Sequence, residues 1–230
     1  MSAFRSERIV ATPARFHALD LIGAVGAPAV VVSEPTVGAV VLGSAQSLAA
    51  VDGERAAAAG LEVVRRRSGG GAVLVRPGEM TWFDVVVPAA AQLVPVDVTA
   101  SMRWLGEGLV GALERLGVSG AVVHSGAMHT TAWSRLVCFD GVAPGEVVLA
   151  GPADGMPAHG RPAKLAGISQ RRTRDGARFQ CIVHHRWAPA ALLDLLRDPK
   201  PLVDDLAPVA TVAAEIAAAL PTALAAALSA

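Results

Sequence analysis

Between two short apolar runs, Leu61 to Arg65 and Ala72 to Val75, the chain sets Arg65-Arg66-Arg67-Ser68-Gly69-Gly70-Gly71. Few backbones accept such a stretch. Glycine loses more conformational freedom on ordering than any other residue, and it weakens a strand interior. What it supplies is positive φ for a sharp bend, or a bare backbone whose N–H groups can approach a ligand closely. The stretch is therefore either a plain tight bend between two strands or a loop that cradles a bound group. A nucleotide-binding phosphate loop is excluded, because the GxxxxGK[ST] spacing is absent. A dinucleotide fingerprint fits poorly, because a strand and not a helix follows the glycines.

The surrounding pattern predicts an α+β fold with helices packed on a mostly antiparallel sheet. Glu7 to Ala11 reads as a strand and Pro13 to Val25 as a helix with proline in its first turn. Ala29 to Ser33 and Ala39 to Leu42 read as a hairpin, and Asp52 to Ala59 as a short helix stopped by Gly60. In the strand Thr81 to Val87, period-2 alternation turns Trp82, Asp84 and Val86 to one face and Phe83, Val85 and Val87 to the other. Helical spacing from Thr99 to Leu116 aligns Met102, Leu105, Leu109, Ala112, Leu113 and Leu116. Ala121 to Val123, Leu136 to Phe139 and Glu146 to Ala150 read as strands, and Gly151 to Pro162 as an aperiodic loop. Asp175-Gly176 predicts a hairpin joining Lys164–Arg172 to Ala177–His184. Ala188 to Leu196 and the tail from Val209 to Ala230 read as helical, the tail broken at Pro221.

Charge and composition narrow the function. With 20 basic and 20 acidic residues the 230-residue chain has no net charge and no basic tail, which argues against nucleic acid as a partner. Two cysteines, Cys138 and Cys181, make neither a disulfide framework nor a metal-ligand spacing, so a reduced cytoplasmic setting is expected. No run has the length and apolarity of a signal peptide or membrane span. Only Lys164 and Lys200 among the basic residues are lysine. Where arginine is the default cation, a lysine hints at a site that wants an amine; by residue type alone Lys164 is a solvated strand-end lysine. His124, His129, His159 and the His184-His185 pair lack helical zinc spacing and read as surface or satisfied polar residues. Trp82, Trp104, Trp133 and Trp187 read as packing.

Three segments carry a resemblance. The run Arg65 to Val73 resembles the RRx(S/T)GGGAV motif of the biotin/lipoate protein ligase catalytic-domain family, in its lipoate ligase and octanoyltransferase branch. Lys164-Leu165-Ala166-Gly167-Ile168-Ser169-Gln170 is similar to that branch's lysine block, and Val40 to Gln46 to its VVxGxxQ strand end. The likeness covers roughly residues 29 to 185. It implies a central mixed, mostly antiparallel sheet flanked by helices, as in class II aminoacyl-tRNA synthetases and biotin ligases, with a smaller second sheet. Residues 1–190 would form the catalytic domain and 191–230 a helical tail packed on it. The implied activity is attachment of a lipoyl or octanoyl group to a lysine of a lipoyl carrier domain or of the glycine cleavage H protein.

The resemblance also implies roles. Arg66, Ser68, Gly69, Gly70, Gly71, Ala72 and Gly167 would hold the acyl chain or acyl-adenylate, and Lys164 would be the central cation. An acyl-adenylating ligase, using ATP and Mg²⁺ with free lipoate or octanoate, is the first expectation. The second is a transferase that needs no ATP. Cys138-Phe139, Glu146 and Gly151 fall in register with the CFxxPSxxE…G segment of cysteine octanoyltransferases, and Cys138 would take the acyl group from a carrier thioester such as acyl carrier protein. A non-catalytic acyl-binding relative is the third, because Val75-Arg76 stands where the family usually shows His-Asp. By composition alone Cys138 is a small core residue. The stretch Pro152 to Ala163 is an insertion relative to the family's tight turn, and the Arg171–Arg174 run could meet an acidic carrier.

Overall fold

A computed structural model describes residues 3–150 and 162–229. In chain order these form β1 (Arg5–Ala11), α1 (Pro13–Ala18), α2 (Leu21–Ala24), β2 (Ala29–Pro35), β3 (Gly38–Leu42), α3 (Gly53–Ala58), β4 (Leu61–Arg65), β5 (Val73–Val75), β6 (Met80–Pro88), α4 (Val98–Arg115), β7 (Ala121–Val123), β8 (Val147–Leu149), β9 (Ala163–Thr173), β10 (Gly176–His184), α5 (Pro189–Leu193) and α6 (Ala214–Ser229). The larger sheet runs β1-β2-β6-β10-β9-β8-β7 and the smaller β4-β3-β5. Among the strands of the described residues, only the β1–β2 and β3–β4 pairs are parallel. The expected α+β architecture, a mostly antiparallel sheet with a smaller companion, is what the chain adopts.

Strand β6 shows how sequence alternation builds the layers. Phe83, Val85 and Val87 pack with Met102, Leu105, Leu109 and Leu113 of α4 and with Leu220 and Leu224 of α6. Trp82 and Val86 enter the opposite layer with Phe16, Ile22, Val41, Val73 and Val75. The smaller sheet repeats the device: Val41 and Val73 face the main sheet, while Val40, Leu42 and Leu74 face Leu192, Leu193 and Leu196. Each fully buried Leu or Phe contributes about 1.5–3 kcal/mol. The small sheet is thus clamped on both faces, and the loop between β4 and β5 meets the middle of β9 and β10, where Ser68 reaches Ser169 and Gln180.

Four expectations are corrected. The predicted hairpin of Ala29–Ser33 with Ala39–Leu42 does not form: β2 pairs with β1 and β6, and β3 pairs with β4 and β5. Both runs are apolar on both faces, so alternation could not name their partners. The helix from Pro13 splits in two, because Leu19 is extended and Asp20 caps a new helix through Gly23 N–H. Leu136 to Phe139 is not a strand; Val137 bridges Ala72 once, and Cys138–Asp140 is a 3₁₀ turn. Helix α6 runs through Pro221 without a break, its Leu220, Pro221 and Leu224 buried as it packs against α4. The predicted Gly151–Pro162 loop and the Pro152–Ala163 insertion lie, apart from their last residues, outside the described residues, as does His159.

Candidate active site

The arginine–glycine stretch closes on itself. Arg66 N–H donates to Leu42 O at 2.9 Å, and the buried side chain turns inward. Its guanidinium donates to the carbonyls of Gly69 (2.7 Å), Gly71 (2.9 Å) and Val41 (3.3 Å). Gly70 sits at φ +100°, and a Cβ there would stand 2.8 Å from Arg66 Nη2 and 3.6 Å from Cys138 Sγ. At Gly71 a Cβ would meet Cys138 N and Val137 C at 2.6 Å. Only a bare backbone lets the loop lie this close to Cys138. Gly71→Ala is therefore expected to cost about 1–3 kcal/mol and to displace the Cys138 turn, read as a lower urea midpoint together with slower alkylation of Cys138. The VVxGxxQ segment has a structural part: Gln46 Oε1 accepts from Gly43 N–H, and its amide donates to Arg135 O and Leu136 O, just before Cys138.

Cys138 is held from both sides. Its N–H donates to Ala72 O at 3.0 Å, and its carbonyl accepts from Lys164 Nζ at 3.2 Å. Lys164 is 2% exposed, so the solvated-lysine reading of its residue type is wrong for this fold. Its ammonium also donates to Gly141 O at 3.1 Å, pairs with Glu146 Oε1 at 2.7 Å and lies 4.9 Å from the Phe139 ring centroid. Burial pushes the Lys164 amine down; the Glu146 carboxylate and the nearby Cys138 thiol more than offset this, and its pKa stands above the ordinary lysine value. Glu146 is itself fixed by the N–H groups of Ala143 (2.8 Å) and Ile168 (2.9 Å).

Two cavities meet at this point. A narrow slot is lined by Val41, Val73, Val75, Trp82, Ile182 and their neighbours. An open groove of about 1950 Å³ runs past Gly69, Gly70, Gly71, Met102, Glu146 and Lys164. Cys138, Ile168 and Ser169 border both. Of the residues singled out by sequence, Arg66 and Gly167 line the slot and the three glycines line the groove instead. Ser68 and Ala72 are buried and line neither cavity; Ser68 Oγ is 2.9 Å from Ser169 Oγ and donates to Gln180 Oε1 at 3.0 Å. Among the described residues, no three His, Cys, Asp or Glu side chains cluster in a way that could hold a metal ion.

Sequence reasoning missed His17, which lines the slot and approaches Gln180 Nε2 through Nδ1 at 3.4 Å. Burial, then the charges of Arg178 and Arg66, lowers its pKa to about 3. No periodic signal marks it. Gln180 was more accessible, because the Asp-Gly turn sets it opposite Ser169.

His184 corrects another expectation. It is buried, neither ring nitrogen has a hydrogen-bond partner, and it packs against Phe139 and Trp187. Burial, then the charges of His185 and Lys164, lowers its pKa to about 4. A folded pKa below the unfolded one gives stability that is complete above pH 6.5 and is lost as pH falls through the interval to about 4. The loss is about 1.4 kcal/mol per pH unit. His184→Phe is expected to flatten urea midpoints between pH 6.5 and 4.5 by that amount relative to wild type.

A thiol at the mouth of an apolar slot, with an open groove beyond, suits a protein that takes an apolar chain by one end and meets a second substrate there. Residues 29–222 match the family model for the lipoyl protein ligase A/B catalytic domain, and the chain belongs to that family. It is 34% identical over 158 residues to the octanoyltransferase LipM of Kyrpidia tusciae, a match covering 67% of this chain and 53% of the relative. The chain thus spans about half the length of the curated relative it matches. Among solved structures it resembles a bipartite lipoate protein ligase of Thermoplasma acidophilum, studied with its E2 lipoyl domain (TM-score 0.68, 17% identity, 99% of this chain and 84% of the other). It also resembles a lipoate-protein ligase A bound with ATP (TM-score 0.66, 18% identity, 98% and 85%). These likenesses establish the fold. Among the described residues no helix is long and apolar enough to cross a membrane.

Proposed function

We propose that the chain is an acyltransferase that moves an octanoyl or lipoyl group from a carrier thioester, through a Cys138 thioester, to a lysine of a lipoyl carrier domain. The observation that carries this reading is the place of Cys138 on the common border of slot and groove. An acyl chain in the slot brings its carbonyl to the sulfur, and the groove admits first the donor and then the acceptor. The Cys138 thiolate attacks the thioester carbonyl, the carbon–sulfur bond to the carrier breaks, and the carrier thiolate leaves and takes up a proton. In the second step the neutral acceptor amine attacks the acyl-enzyme. The amide forms, the bond to Sγ breaks, and the amine's proton passes to the departing thiolate or to solvent. Lys164 supplies a fixed positive charge beside the reacting carbonyl, where it is worth more than in water.

The adenylating alternative is supported less well. A site for a nucleotide phosphate needs cations free to receive it. The Arg66 donors are spent on the carbonyls of Val41, Gly69 and Gly71. Arg172, at the groove edge, donates to Pro95 O and Val96 O. Arg135, which is exposed, and Lys164 also line the groove, and it is the place of Cys138 that favours acyl transfer over adenylation. The test is intact mass after incubation with an octanoyl carrier thioester. One octanoyl group, released by hydroxylamine and mapped to Cys138, is expected, and lipoate-dependent pyrophosphate exchange with ATP is expected to stay at background. Exchange without a Cys138 adduct would reverse the two readings.

A further inference from the structure

The turn that carries Cys138 is anchored from outside both cavities. Asp140, two residues on, is 1% exposed and lines neither slot nor groove. Its carboxylate receives hydrogen bonds from two segments distant in sequence. The Ala207 N–H donates to Oδ1 at 2.6 Å, and the Thr131 hydroxyl donates to Oδ2. The direction of the second bond is fixed by what else Thr131 does. Its Oγ accepts from the N–H groups of Trp133 (3.1 Å) and Ser134 (3.0 Å), which takes both lone pairs and leaves its proton for Asp140.

The same stretch of chain then reaches Lys164. Ala210 N–H donates to Lys164 O at 2.9 Å, and Val209 forms a parallel bridge with Lys164. The residues from Ala207 to Ala210 therefore grip Asp140 by its side chain and Lys164 by its main chain. The Lys164 ammonium grips back, on the carbonyls of Cys138 and Gly141 that flank the turn. This closed circuit joins the sulfur, the lysine and the carboxylate through rigid main-chain contacts.

We propose that Asp140 is the positioning residue for Cys138, holding the 138–140 turn so that Sγ stays at the border of slot and groove and in register with Lys164. The inference rests on Cys138 being the acyl acceptor. Asparagine has the same shape but the wrong polarity. Its amide group must face either the Ala207 N–H or the Thr131 oxygen, whose lone pairs are already used. Either way two donors oppose each other in a buried site, and the turn loosens. Thr131→Val removes one of the two bonds and is the milder change.

The full chain, Asp140→Asn and Thr131→Val are compared in single-turnover acylation by an octanoyl carrier thioester, quenched and read by mass. Iodoacetamide alkylation of Cys138 is followed in parallel, with thermal melting as a check on folding. Misplacing a reacting group by about 1 Å costs about 100-fold. The acylation rate at saturating donor is expected to fall about 10–100-fold in Asp140→Asn and about 3–10-fold in Thr131→Val. The half-saturating donor concentration should move less than about twofold, and alkylation should slow in the same order as acylation. A folded Asp140→Asn protein that acylates at the wild-type rate overturns the proposal. So does a higher half-saturating concentration with an unchanged maximal rate, which would put Asp140 in binding. Should Asp140→Asn not fold, Thr131→Val decides, and a wild-type rate there overturns the proposal. If the wild type itself takes no acyl group, the transferase reading fails, while the alkylation rates still show whether Asp140 presents the thiol.

Discussion

Cys138→Ala is expected to leave a folded protein that still takes an acyl chain and no longer transfers it. The side chain is half-buried and forms none of the hydrogen bonds that hold the turn; those come from its main chain. Removing the sulfur should therefore change stability by less than about 1 kcal/mol. Transfer from thioester to lysine should fall by at least about 10⁴-fold, because the remaining groups position and polarise the acyl carbonyl but supply no nucleophile. That is a barrier increase of about 5.5 kcal/mol. Rates of amide formation on a lipoyl domain, with protection of the variant against thermal unfolding by octanoate, separate lost chemistry from lost binding. A variant with near wild-type turnover would mean direct attack by the acceptor lysine, with Cys138 only a wall of the slot. Cys181 offers no substitute. It is fully buried on β10, and burial pushes its thiol pKa well above the ordinary cysteine value.

What was legible in the sequence follows from where each signal is local. The alternation in β6 names both layers because each face of that strand meets a different core. Asp175-Gly176 fixes the β9–β10 register and so sets Gln180 opposite Ser169. The glycine run announced a close backbone approach, and Gly71 against the main chain of Val137 and Cys138 is that approach. Other features are long-range and leave no local trace. The apolar segment before Phe139 resembles a strand, but it becomes a turn because two distant groups hold it: the Lys164 ammonium on the carbonyls of Cys138 and Gly141, and the Ala207 N–H on the Asp140 carboxylate. Asp140 looks like an ordinary loop acid until the Ala207 N–H and the Thr131 hydroxyl are placed against it. Lys164 looks solvated for the same reason: its burial depends on Glu146, which β8 and β9 bring alongside only when they pair.

That dependence makes the Lys164–Glu146 pair the most costly polar contact to break. Both side chains are at most 4% exposed. Glu146→Ala would leave a buried ammonium uncompensated and the N–H groups of Ala143 and Ile168 without their acceptor. Breaking one side of a buried pair costs about 3–5 kcal/mol, which for a chain of this length lowers the melting temperature by about 10 °C. The double change Glu146→Leu with Lys164→Met removes both charges and restores an apolar fit. It should recover only part of that loss, since the charge imbalance is gone but the N–H groups of Ala143 and Ile168 and the carbonyls of Cys138 and Gly141 stay without their partners. Activity should not return with stability. A transferase that uses the Lys164 charge stays impaired in the double variant by about 100-fold or more, even where part of its melting temperature is regained. Thermal melts and acylation rates measured on the same preparations separate the two roles. Recovery of both together would make the lysine a structural element only, and would shift the stabilisation of the acyl oxygen to the backbone N–H groups of the glycine loop.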